Sequence, residues 1–144
     1  MTDEEKRNEA YTYLRSCQRM DQKIRRLSLQ HDELQAALLP QGIRYNVDRV
    51  QTSPQDRLPE VAAMVVDLEK EIEDLQERKA QRLKEIMEII NSLEDEDQKT
   101  VLTCFFIGRL PMSDIAVQLH YHRSQVYRIR DDALLAVYDK RCDK

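Results

Sequence analysis

Tyr13, Cys17, Met20, Ile24, Leu27, His31, Leu34 and Leu38 recur at alternating steps of four and three residues. A second series, Val61, Val65, Leu68, Ile72, Leu75, Lys79, Arg82, Ile86, Ile89 and Leu93, repeats the pattern. Such heptad spacing places one narrow apolar stripe along a helix, and a stripe that narrow must be covered by a second helix. The chain is therefore expected to build a long helical hairpin, a coiled coil of helices at about 4–39 and 55–93. The two seams close either on each other as an antiparallel pair or on a second copy of the chain, and spacing alone leaves both open. Packing is the plain reading of every seam position. His31 is a tolerated heptad residue, and Lys79 and Arg82 extend their charged ends out of the stripe.

Between the seams, PQGIRYNVDRVQTSPQDRLP is rich in proline and polar residues and reads as a connection of about 40–54. Pro40 and Gly42 end the first helix, while Ser53 and Pro54 suit the N-cap and first position of the second. With only two glycines and four prolines, against 41% hydrophobic and 35% charged residues, the composition favours solvated helices and an all-α fold. No apolar run approaches the roughly 20 residues that cross a bilayer, and MTDEEKRNEA lacks the order of a signal peptide. A cytoplasmic protein that avoids membranes is expected.

Charge divides the chain. Residues 1–97 carry 15 Lys and Arg against 22 Asp and Glu, net −7, whereas residues 98–144 carry 8 against 5, net +3. The run Glu94, Asp95, Glu96, Asp97 marks the change, so an acidic hairpin over 1–97 is expected to precede a basic domain over 98–144.

That last part is patterned for three short helices. Val101, Leu102, Phe105 and Phe106 define the first, broken near Gly108. Pro111 opens the next, with Asp114 in its first turn where a carboxylate complements the helix dipole. Ile115, Ala116, Leu119, Tyr121, Val126 and Ile129 then fall where a helix-turn-helix needs apolar or small residues. The turn, which tends to take positive φ, is held by His120 rather than glycine. A third helix starts near His122. If Val126, Ile129, Ala133, Leu134 and Val137 face inward, then His122, Arg123, Ser124, Gln125, Tyr127 and Arg128 form the outer face toward a major groove. Arginine suits guanine O6 and N7, glutamine suits adenine, and the hydroxyls suit phosphate or base. Asp131 and Asp132 end such contact after about two turns, since carboxylates repel phosphate.

Cys17, Cys104 and Cys142 match neither a disulfide framework nor a zinc pattern, and the HxH pair His120 and His122 lacks the four-ligand spacing of zinc sites. There is also no glycine-rich phosphate loop and no nucleophile paired with a base. No cofactor, metal or catalytic residue is expected, and the chain is not expected to be an enzyme.

VYRIRDDALLAV, with the order VL, FFIG and SDIA before it, resembles the helix-turn-helix of region 4 of bacterial sigma factors over roughly residues 98–138. Nearly the full length is similar to phage late-gene transcriptional regulators of the ArpU and RinA type, through the acidic hairpin, DRVQTSPQDRLPE, VVDLEKEIEDL, INSL and the terminal module. Three positions depart from that pattern: His122 in place of a serine N-cap, Phe105 in place of an arginine, and Arg109 in the usual glycine position after an early Gly108. The resemblance implies a sequence-specific DNA-binding activator of phage or prophage late genes. Its partners would be promoter double-stranded DNA, host RNA polymerase and a second copy of itself. The rival expectations are a coiled-coil assembly protein, whose last helices form a docking cap, and a polymerase adaptor that does not read bases.

Overall fold

The computed structural model describes residues 1–39 and 54–143. Among these the chain is all-α, with six helices: α1 Asp3–Leu14, α2 Ser16–Ala37, α3 Pro54–Asn91, α4 Glu96–Leu102, α5 Met112–Leu119 and α6 Arg123–Cys142. Pro40, Gly42, Ser53 and the rest of the expected connection up to residue 53 lie outside the described residues. No described helix is long and apolar enough to cross a membrane.

The single helix expected over 4–39 is interrupted at Arg15. Ser16 supplies the reason: its hydroxyl donates to the Tyr13 carbonyl at 2.6 Å and competes with the regular ladder. Thr2 caps the start of α1, accepting from the Glu5 amide at 3.2 Å, and Asp3, Glu4 and Glu5 fill the first turn where the dipole favours them. Asp95 does the same for α4, accepting from the Gln98 amide at 3.1 Å with Glu96 and Asp97 behind it. Three of the four acidic residues at 94–97 are thus helix-start chemistry.

After Leu102 the helix widens into a π-turn over Thr103–Ile107, where the Gly108 amide donates to the Thr103 carbonyl at 2.8 Å. A Cβ on Gly108 would stand 2.9 Å from the Cys104 carbonyl oxygen, so the turn requires a residue without one. Positive φ falls on the next residue, Arg109, at 58°.

The chain divides into two compact units, and the division is not the one expected at 97/98. One unit comprises residues 1–18 with 81–144, the other residues 19–80. In the first, Ala10, Leu14 and Cys17 join Ile86, Ile89, Ile90 and Leu93, Leu102 and Phe106, and Ala133, Leu134 and Val137 in one core. The N-terminal helix therefore completes the C-terminal helices' core instead of standing in a separate stalk. A smaller core of Val101, Met112, Ile115, Ala116 and Val126 joins α4, α5 and α6.

In the second unit the seams close on each other within one chain. Lys79 pairs with Asp21, and His31 Nε2 meets Glu69 Oε2 at 2.9 Å; ten residues up α2 match ten residues down α3, an antiparallel register. Leu27, Val65 and Leu75 are buried along it. Lys79 does not simply extend to solvent, because its ammonium ends on the neighbouring helix. In the first unit Arg82 donates to Ser16 Oγ at 2.9 Å and lies over the Tyr13 ring at 5.2 Å.

Candidate nucleic-acid interface

The turn between α5 and α6 is built from backbone bonds. His120 has φ 60° and ψ 36°, its amide donates to the Val117 carbonyl at 3.3 Å, and the Tyr121 amide donates to the Ala116 carbonyl at 3.1 Å. This pair of bonds satisfies the last carbonyls of α5 and requires a left-handed residue between them. At the start of α5, Pro111 is the extended residue before the helix, not its first member, and its carbonyl accepts from the Asp114 and Ile115 amides.

Two bonds then set where α6 begins. Tyr121 donates from its hydroxyl to Asp97 Oδ2 at 2.7 Å, which ties the turn to α4. That bond to a carboxylate is also the main reason the phenol's pKa is raised. His122 caps α6, its Nδ1 accepting from the Ser124 amide at 3.1 Å and from the Ser124 hydroxyl at 2.8 Å. Histidine thus does here what a serine N-cap does, its ring nitrogen accepting from a first-turn amide.

Buried Val126, Ala133, Leu134 and Val137 hold one face of α6, as its periodicity predicts. His122, Arg123, Ser124, Gln125 and Arg128 are exposed on the first two turns. Tyr127 differs from the expectation of an outward side chain: it is half-buried against the smaller core. Its ring lies between Arg123 at 5.8 Å and Arg130 at 5.0 Å. At this position the hydrophobic ring finds apolar neighbours that its helical angle does not reveal. Val126 is wholly excluded from solvent while Arg123 is exposed, so the inner and outer faces diverge within one turn.

Arg130 was absent from the sequence-based set. Its guanidinium lies 5.3 Å from the Phe105 centroid and 5.8 Å from that of Tyr11, and 3.8 Å from Asp131 Oδ1. Its side chain is 19% exposed, and its Nε is buried without a hydrogen-bond partner. The rings come from residues 11 and 105, so nothing local to the YRIR segment signals the cluster. The one legible trace is Tyr127, three residues earlier on the same helix.

The charge that makes this face basic is local. The unit that contains it holds 13 Lys and Arg against 15 Asp and Glu, net −2, because the fold adds residues 1–18, net −1, and the acidic run 94–97, net −4, to the segment 98–144. Segregation across the surface does the work that net charge does not.

The model of a family described as a protein of unknown function (DUF1492) matches residues 41–137, more than half of the chain. The chain belongs to that family. No curated protein and no solved structure matches. The family match takes in α3 to α5, the turn at His120 and the exposed face from His122 to Arg128, and leaves out α1 and α2.

Proposed function

We propose that the chain is a sequence-reading DNA-binding regulator of transcription, with α5, the His120 turn and α6 acting as a helix-turn-helix. The observation that carries this reading is the exposed polar face at the N-terminal end of α6, on a helix whose opposite face is wholly committed to the core. A helix anchored in this way presents its first two turns to a groove about 12 Å wide without moving the core. Arg123 and Arg128 read guanine edges or hold phosphate, Gln125 serves adenine, and Ser124, Tyr127 and His122 hold the backbone. The resemblance to ArpU- and RinA-type regulators and to sigma region 4 extends the reading to activation of phage late genes in the bacterial cytoplasm. In this reading the duplex is promoter DNA, no reaction is catalysed, and a second copy of the chain would present a second reading helix.

Arg123→Ala with Arg128→Ala tests it. A footprint of the wild-type protein on its own phage or prophage DNA should show a protected site, and the double variant should lose about tenfold or more in affinity at moderate salt, as expected for two arginine contacts. Unchanged affinity would sink the assignment of α6 as the reading helix. Val117, 74% exposed on α5, favours a second reading in which α5 touches a protein such as host RNA polymerase. Protection that ignores base changes within the site would support that reading over sequence recognition.

A further inference from the structure

The apolar seam of α2 is committed within the chain, to α3, and the opposite side of the helix is left uncovered. Leu27 is buried in that pairing, while Leu29, two residues on and about 200° further round the helix, is 68% exposed. One turn before Leu29 stand Arg25 and Arg26, and one turn after it stand Asp32 and Glu33, all four exposed. The outer face of α2 is therefore a basic pair, a leucine and an acidic pair, with the charges three and four residues away on either side of Leu29.

This spacing does not serve the helix that carries it. Ion pairs that support a helix from within are three or four residues apart, whereas Arg25 and Asp32, like Arg26 and Glu33, are seven apart, about 10.5 Å along the axis. The spacing does suit a second copy. A twofold axis through Leu29, perpendicular to α2, sets Leu29 on its own counterpart, Arg25 opposite Glu33 and Arg26 opposite Asp32. Both relations occur twice, because an interface of this symmetry uses the same patch on each subunit. Asp32 also meets His31 Nδ1 at 3.2 Å, yet its side chain is 75% exposed and open to a further cation.

Beside the acidic pair, a groove of about 570 Å³ runs between the two helices of this unit, lined by Gln30, Glu33 and Leu34 from α2 and Met64, Asp67 and Leu68 from α3. Met64 is 52% exposed there. The same twofold axis brings the basic pair of the second copy to this end of α2. An arginine so placed lays its methylene stem on the apolar lining and its guanidinium against the Glu33 and Asp67 carboxylates. Over residues 22–36 the two helices side by side present a face of about 22 by 20 Å, which buries roughly 900 Å² over both copies. That area belongs to weak, reversible association rather than to a permanent dimer.

We propose that the outer face of α2 is a homodimer interface, in which α2 packs antiparallel on α2 of a second copy with Leu29 on the twofold axis and the Arg25–Arg26 and Asp32–Glu33 pairs interlocked. The occupant is a second copy because the charge order is its own complement when reversed. A parallel pairing would instead set each basic pair on a basic pair, so the charges fix the direction as well as the partner. The interface stands apart from the DNA-reading assignment, since none of its residues lies on α5 or α6.

Sedimentation equilibrium of the full chain at low salt, up to about 100 μM, tests the interface. The wild-type mass should climb from that of one chain toward twice that value. Arg25→Glu with Arg26→Glu makes the face wholly acidic, and Asp32→Lys with Glu33→Lys makes it wholly basic. Each variant alone should dimerise at least about tenfold more weakly than the wild type, because like charges then oppose each other. Mixed in equal amounts, the two should form a heterodimer at least as tight as the wild-type dimer. All four positions are exposed on a helix, so both variants should keep the wild-type circular dichroism. A wild type that stays monomeric over this range, a variant that dimerises as the wild type does, or a mixture that fails to pair overturns the proposal. Growth beyond two copies overturns it as well, since a twofold contact closes on itself.

Discussion

At the scale of single residues, the two left-handed positions show how glycine and positive φ come apart. His120 sits at φ 60°, as its place between two helices predicts, and its side chain is exposed. A β-carbon costs about 1 kcal/mol there, so His120→Gly should raise stability by about that amount in urea unfolding. Gly108 does the opposite of what a lone glycine suggests. It takes φ −76°, and Arg109 takes the positive angle. Glycine is needed at 108 for space, so Gly108→Ala should destabilise by about 1–3 kcal/mol through the 2.9 Å approach to the Cys104 carbonyl. The first of these positions was legible because a turn between two periodic segments is local. The space around Gly108 was not, since it depends on a π-turn that no periodicity announces.

At the scale of elements, the heptad seams were read correctly and their grouping was not. Every described seam position is buried or half-buried, from Tyr13 to Leu38 and from Val61 to Leu93. Yet the first helix divides its work, with Ala10, Leu14 and Cys17 in the core shared with α6. Leu14→Ala should therefore cost about 2–5 kcal/mol in the unit that holds the candidate interface. A fragment of residues 98–144 should remain unfolded by circular dichroism, because it lacks Leu14, Ile86, Ile90 and Leu93 from its core. In the other unit His31, 14% exposed, places its two ring nitrogens on Glu69 at 2.9 Å and Asp32 at 3.2 Å. The hydrogen bond to Glu69, then that to Asp32, raises its pKa above 6.5. The folded form thus binds the proton more tightly than the unfolded one. Its stabilisation is complete below the unfolded pKa and disappears as pH rises through the folded value. Thermal unfolding of the wild type should fall with pH across that window, and His31→Leu should remove this component of the pH dependence.

At the scale of the whole molecule, charge is a matter of placement. Net −4 for the chain and net −2 for the unit with the candidate interface say little about the start of α6, where Arg123 and Arg128 are both exposed. Glu4 and Glu5 lie at the end of α1 near Tyr138, fifteen residues along α6 from Arg123, or about 22 Å. That exceeds two Debye lengths at physiological salt, each about 8 Å. Glu4→Gln with Glu5→Gln, which moves the net charge from −4 to −2, should leave duplex affinity within about twofold; Arg123→Ala with Arg128→Ala, which moves it by the same amount the other way, should not. A gel-shift series over salt compares them directly. By itself the sequence determined the all-α class, the seams, the helix starts at Pro54 and after His122, and the exposed face on α6. These follow from periodicity and capping, which act over a few residues. Only the tertiary structure decided that α1 belongs to the core of α6, that Tyr127 is half-covered, and that Arg130 joins rings from residues 11 and 105. Those arrangements depend on where helices distant in sequence meet, and an apolar stripe states that it must be covered without naming what covers it.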